Sequence, residues 1–302
     1  MQELRLFHLA GIVPVAQPKL DFNMPWEDAL MPIGANYTAV ERAVQECAAV
    51  GCSTIWVVAT HGTQVLLRKK IGDYVADPLR HLNDWKNRYR EVSVFYISIN
   101  ERDKELRNSL PWSIVYGAHI ARLTVLKLSR WIVPHKFYCA FPHSIMPLDT
   151  LMNNRWLIDS TRKTVFSYNG LTVKDNLQIS FTFSKEDFRR AAKIVKQHEI
   201  DSWQYRVKPE PVNYRLDQVF HSMDTEDPTI IELPWHYEID SWDKYAKYLG
   251  SEHAKTVKRF EYDSIRRPRF PQKKLYKIPK INRENIIDRP NYEDLEDDES
   301  EQ

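Results

Sequence analysis

The segment TAVERAVQECAAVGCSTIWVVA, running from Thr38 to Ala59, constrains the fold more than any other part of the chain. Val40, Ala43, Val44, Cys47 and Ala48 recur at helical spacing, Thr38 stands where a cap belongs, and Glu41 three residues on completes a capping box. Gly51 ends the helix, and STIWVVA follows as a β-branched run suited to a strand buried on both faces. A helix leading into such a strand belongs to an α/β unit with a parallel strand pair.

The same rhythm continues on either side. Leu4 to Val15 reads as a strand that opens into a long irregular segment, AQPKLDFNMPWEDALMPIG. Pro78 to Tyr89 is predicted as a helix, Val92 to Ile99 as a strand, Pro111 to Leu128 as a helix and Lys136 to Phe141 as a further strand. After Asp149 the pattern turns to α+β. Strands are predicted in LIDSTRKTVFSYNG and LTVKDNLQISFTF, a helix from Ser184 to His198, and a last strand, turn and helix in IIELPWHYEIDSWDKYAKYLGSEHAKTVKRF. These elements predict an α/β domain over residues 1–255. Residues 256–302 then form a basic, Pro-interrupted extension with a disordered acidic tail, PNYEDLEDDESEQ.

A chain of 302 residues with 43% apolar content can build a sizeable core, and a formal net charge of only +2 makes any polyanion affinity a matter of local clustering. That clustering falls in residues 255–289, where Lys and Arg interleave with Phe260, Tyr262, Phe270 and Tyr276. The composition fits a nucleic-acid or polyanion contact, and equally a solvated charge run screened by the acidic tail. Three cysteines are too few for a disulfide framework or a zinc site, which points to a reducing, cytoplasmic setting. The start, MQELRLFHLAGIVPV, does not read as a secretory signal, and no run approaches the roughly 18 apolar residues of a membrane span. G-x-G-x-x-G, Walker, G-x-S-x-G and H-E-x-x-H motifs are missing, as is a D-x-D after the central strand.

Four stretches carry a family likeness. DALMPIGANYTAVERAVQECAAVGCSTIWVV, PWSIVYGAHIARL, KFYCAFPHSIMPLDTL and YEIDSWDKYAKYL follow the order and spacing of motifs in the sugar-phosphate nucleotidyltransferases, over residues 4 to 255. The chain resembles that family and is similar to divergent members of the kind encoded by bacteriophages. The resemblance implies a three-layer α/β/α, nucleotide-diphospho-sugar transferase-like fold, Rossmann-like with a mixed sheet. It also implies transfer of a nucleoside monophosphate from a nucleoside triphosphate to a phosphorylated sugar or similar small molecule, with Mg²⁺ as cofactor.

Such a reaction rests on positioning and on neutralising charge, using a glycine-rich turn, a basic residue on the leaving group and carboxylates on the metal. Mapped here, the likeness implies Lys19 as the catalytic cation, Ala10, Gly11, Tyr116, Gly117 and His119 as nucleotide or substrate contacts, and Asp240 with His143 as metal ligands. The chain departs from the family at three points. LAGIVPVAQPKLDF keeps a single glycine, Asp28-Ala29 stands at the family's Lys-Pro, and Pro142-His143 at its Gly-Asp. His143 fits a softer metal, a phosphate contact or a plain turn residue. Asp240 fits a metal ligand or a helix N-cap, with Glu238 on the same strand face, and Trp112 and Tyr116 fit a base pocket or the core. These departures leave two functions open: a nucleotidyltransferase, and an inactive protein that keeps the fold and holds a partner through its surface or its basic stretch.

Overall fold

The computed structural model describes residues 7–17, 20, 22–78, 91–100, 103, 107, 109–128, 133–204, 212–221, 223 and 228–259. All of them belong to one compact unit, Met1–Phe260.

Strand β1 (Leu9–Pro14) is wholly buried and lies between β4 (Thr54–Ala59) and β7 (Lys136–Cys139), parallel to both. Beyond β4 come β6 (Glu91–Ser98), also parallel, and the antiparallel edge strand β5 (Tyr74–Ala76). On the other side β10 (Phe181–Ser184) runs antiparallel to β7, followed by β9 (Thr164–Ser167) and β11 (Thr229–Glu232). The result is a mixed eight-stranded sheet, ordered β11-β9-β10-β7-β1-β4-β6-β5.

Neighbouring residues of β1 identify the layers, because successive side chains of a strand point to opposite faces. A Cβ on Gly11 would stand 2.8 Å from Cys47 Sγ in helix α1 (Ala39–Ala49), so α1 covers one face. Ile12 Cγ2 would stand 3.0 Å from a Cβ on Gly117 in helix α3 (Leu110–Leu128), so α3 covers the other. Helix α6 (Lys185–Gln204) lies beside α3, where the His119 and Phe188 rings stack at 6.2 Å. Phe137, Phe181, Phe183 and Phe220 fill the interior around β7 and β10. Each contributes roughly 1.5–3 kcal/mol by burial.

The predicted strands and helices that fall within the described residues are present with shifted ends, except that the first part of LTVKDNLQISFTF is a 3₁₀ turn at Val173–Asp175 and only Phe181–Ser184 is strand. Helix α1 begins at Ala39 because Tyr37–Thr38 pair as a short strand, β3, with β2 (Pro32–Gly34). Its capping box is formed, Thr38 N–H donating to Glu41 Oε2 at 3.0 Å. Helix α2 (His61–Ile71) had no apolar stripe to announce it, since Leu67 is its one buried residue. The helix predicted from Pro78 to Tyr89 falls, after Pro78, outside the described residues, as does the stretch from residue 260 onward. Short helices α4 (Leu148–Asn153), α5 (Arg155–Ile158) and α7 (Leu216–Phe220) complete the main body.

A smaller cluster sits at one end of the sheet. Strand β8 (Ser144–Ile145) pairs with β12 (Tyr237–Glu238), and helices α8 (Trp242–Leu249) and α9 (Glu252–Thr256) follow. Phe22, Met31, Ile33, Tyr37, Ile145, Ile239 and Tyr248 form its core.

Candidate active site

Strand β1 leads through α1 to β4 on one side, whereas β7, its other neighbour, is reached from β6 through α3 on the opposite face. The gap beyond the carboxyl ends of β1 and β7 is therefore a topological switch point, where open α/β sheets bind ligands. Leaving β1, the Val15 and Ala16 N–H groups both donate to Val58 O at 2.8 Å, and Ala16 O accepts from Ser113 Oγ in the first turn of α3. Leaving β7, the chain turns at Phe141–Ser144, closed by Ser144 N–H donating to Phe141 O at 3.2 Å. Gln17 and His143 face each other across this gap, the Gln17 amide donating to His143 Nδ1 at 2.9 Å.

The segment after Gln17 forms the next wall. Asp28, buried in a single 3₁₀ turn at Asp28–Leu30, accepts the Leu20 N–H on Oδ2 at 2.9 Å. Glu27 Oε2 accepts from Thr63 Oγ1 at 3.0 Å. Helix α8 clamps the same segment: Trp242 Nε1 donates to Phe22 O at 3.2 Å, Tyr245 Oη to Pro32 O at 2.6 Å and Tyr248 Oη to Ile33 O at 2.9 Å. An irregular sequence with three prolines is thus held by side chains more than two hundred residues away.

The third wall carries the acidic pair. Ile239 N–H donates to His143 O at 2.7 Å, which fixes Glu238 and Asp240 beside the turn. Both carboxylates meet the Lys244 ammonium, Asp240 Oδ2 at 2.5 Å and Glu238 Oε2 at 3.7 Å. Ser241, not Asp240, occupies the N-cap of α8, so capping does not account for Asp240. Burial pushes the Glu238 carboxyl upward against the pull of Lys244.

His143 is buried, and burial lowers its pKa to about 4, against the opposing pull of the Asp28 backbone and of the Asp28 and Asp240 carboxylates. Its ring is therefore neutral near pH 7, and Nε2 makes no hydrogen bond of good geometry. Residues implied as Lys and Asp by the family likeness are here Asp28 and His143, lying against one another.

The site residues implied by the likeness divide sharply. Asp240 and His143 are brought together at the crevice; Lys19 lies outside the described residues, between Gln17 and Leu20 in the sequence. Ala10 and Gly11 are instead interior residues of β1, fully buried in the sheet, with the space beside Gly11 filled by Cys47 and Cys52. Gly117 likewise serves helix packing, since a Cβ there would stand 2.6 Å from Val58 Cγ2. His119 is buried against Phe188, and Tyr116 is half-buried, its ring 5.6 Å from that of Trp112 and its hydroxyl 3.4 Å from Ser98 O. These five positions lie in β1 and in the helix packed on it.

Sequence reading missed the residues that hold the turn after β7. Arg42 in α1 donates to Ser144 O at 2.6 Å and Met146 O at 2.9 Å, and pairs with Glu46 at 2.8 Å. Glu46 Oε1 accepts in turn from Tyr138 Oη at 2.6 Å and from Ser180 Oγ. Opposite charges four apart on a helix were a legible signal of a pair, though not of its burial. Gln17 had no signal, because its partner is 126 residues away.

Mg²⁺ fits this arrangement poorly. Asp240 already has a cation on it, His143 offers nitrogen where Mg²⁺ prefers oxygen, and among the described residues no three His, Cys, Asp or Glu side chains gather as a metal-binding group. Among the described residues no helix is long and apolar enough to cross a membrane.

No family model and no curated protein matches the chain in sequence. Solved structures match in fold. The putative glucose-1-phosphate thymidylyltransferase of Bacillus anthracis, solved with a sucrose, superposes with a TM-score of 0.54 at 10% identity, over 84% of this chain and 98% of that one. The CTP:phosphocholine cytidylyltransferase of Streptococcus pneumoniae gives a TM-score of 0.47 at 14% identity, covering 80% and 97%. Rv0371c of Mycobacterium tuberculosis H37Rv, solved with manganese, gives 0.40 at 11%, covering 81% and 99%. The likeness is one of architecture: the chain has the mixed-sheet, Rossmann-like fold of the nucleotide-diphospho-sugar transferases.

Proposed function

We propose that the chain is a nucleotidyltransferase, joining the nucleoside monophosphate of a nucleoside triphosphate to a phosphorylated sugar or similar small molecule. The observation that carries this reading is the convergence of Gln17, Asp28, His143 and Asp240 at the switch point of β1 and β7. Four polar side chains from three distant segments meet where this architecture leaves room for a ligand.

In the reaction an acceptor phosphate oxygen attacks the α-phosphorus and pyrophosphate leaves from the opposite side, so the protein must align the groups and offset negative charge. Neutral His143 and the Gln17 amide supply polar contacts that add no charge of their own. Lys19, in sequence between two residues anchored at the crevice, is the proposed cation for the leaving pyrophosphate. Because the residues do not fit Mg²⁺ while Lys244 holds the carboxylates, no step is assigned to a metal.

A second reading has its own support. The one glycine of the first segment is buried and Asp28 stands where the family likeness implies a lysine, as in a protein that keeps the fold and has lost the reaction. The basic stretch of residues 255–289, outside the described residues beyond Arg259, is then the proposed polyanion contact.

Two measurements separate the readings. A nucleoside triphosphate at one hundred times its Kd should add about 2.7 kcal/mol of stability and raise the Tm, an effect that Lys19→Met abolishes. Incubation with a panel of phosphorylated sugars should then release pyrophosphate. No Tm shift with any of the four triphosphates sinks the first reading; the second is sunk if removing residues 256–302 leaves polyanion affinity unchanged and insensitive to salt.

A further inference from the structure

Lys244 sits one helical turn beyond Asp240, a spacing that brings the ammonium back over the carboxylate, and its reach extends to Glu238 on β12. Neither partner is free to drift. Glu238 is paired with Ser144 through β12 and β8, and the next residue, Ile239, is bound to His143 O at 2.7 Å. Beside them the His143 ring is buried, its Nε2 without a hydrogen bond of good geometry and its charge balance set by burial against the Asp28 backbone and the Asp28 and Asp240 carboxylates. Glu238 is one-fifth exposed and Asp240 one-third, which screens their mutual repulsion less than open water would.

Two carboxylates held this close need a counter-charge, and a single ammonium supplies it. A divalent ion drawn to the same oxygens would meet that ammonium at 2.5 Å from Asp240 Oδ2 and could bind only by displacing it. We infer that Lys244 is the resident cation of this site, holding the Glu238 and Asp240 carboxylates in place of a divalent metal ion, so that the pair becomes a metal site only when the ammonium is removed. The inference rests on the contacts of these side chains and not on the transferase reading, and its test contains no nucleotide.

Mn²⁺ is the probe, because free and bound ion are told apart by electron paramagnetic resonance. Wild-type protein is expected to show no Mn²⁺ binding that Asp240→Asn removes. Lys244→Met should gain a Mn²⁺ site at least tenfold tighter than anything in the wild type, and adding Asp240→Asn or Glu238→Gln should abolish it. Lys244→Arg, which keeps the charge, should behave as wild type. Lys244 is half exposed, so these variants should fold; circular dichroism checks this, and Lys244→Gln gives a second neutral variant. A wild-type Mn²⁺ site lost in Asp240→Asn overturns the inference, as does a folded Lys244→Met or Lys244→Gln chain that gains no Mn²⁺ affinity.

Discussion

Gly11 shows at the scale of one residue how a glycine picked out by a likeness in sequence can have a packing role of its own. Glycine is suited both to a phosphate loop and to close packing of a helix on a strand, and the two uses look alike in one dimension. Here the hydrogen in place of a side chain lets Cys47 and Cys52 approach β1. Gly11→Ala would bring a Cβ to 2.8 Å from Cys47 Sγ and 2.9 Å from Cys47 Cβ, closer than packed atoms tolerate. Overpacking of this kind costs about 1–3 kcal/mol. Urea unfolding should therefore show a lower midpoint for Gly11→Ala, while nucleotide affinity of the folded fraction stays unchanged. A variant as stable as the wild type that has lost nucleotide binding would return Gly11 to the site.

At the scale of elements, α1 does more than cover the sheet. All eleven of its residues are buried, including Glu41, Arg42, Gln45 and Glu46, so its polar side must be satisfied inside the protein. Arg42 spans from Glu46 to the main-chain oxygens of Ser144 and Met146, and so ties the first helix to the turn that presents His143. Removing one partner of a buried pair leaves the other charge uncompensated, a loss of about 3–5 kcal/mol. Arg42→Met should lower the unfolding free energy by that amount, measured by urea titration. The double variant Arg42→Met with Glu46→Gln should recover part of it, since no bare carboxylate then remains. With Glu46→Gln alone as the fourth corner of the cycle, a double variant whose destabilisation equals the sum of the two single losses would show that the two side chains are not coupled.

The whole molecule responds to pH through two buried imidazoles. Burial holds His143 down to about 4, against Asp28 and Asp240, and it holds His236 down to about 4 as well, the backbone of Gln178 opposing. Between the ordinary histidine pKa of about 6.5 and that value, the unfolded chain takes up protons that the folded chain refuses. Stability is therefore present above pH 6.5 and falls as the pH drops toward 4, by up to about 1.4 kcal/mol per pH unit for each imidazole. Glu238, its pKa raised by burial, acts in the opposite sense and offsets part of the fall. Urea midpoints at pH 7, 6 and 5 should decline more steeply in the wild type than in His143→Asn; parallel profiles would mean that His143 titrates normally.

The chain by itself determined the run of elements and the class of fold. Periodicities of 3.6 and 2, the Thr38–Glu41 capping box and the unalternated STIWVVA run are local signals, and local signals survive in a linear text. They place α1, β4, β6, α3 and β7 within a few residues of their ends. Lys244, four residues from Asp240, was within reach of the same logic. The crevice was not, because Gln17, Asp28, His143 and Asp240 become neighbours only when β7 inserts beside β1 and β12 folds back on β8. Tertiary structure alone decided which polar residues face that gap and which, such as Glu46 and His119, are buried to hold the layers together. Side-chain neighbourhood across more than a hundred residues is set by strand order and packing, and neither leaves a periodic mark on the sequence.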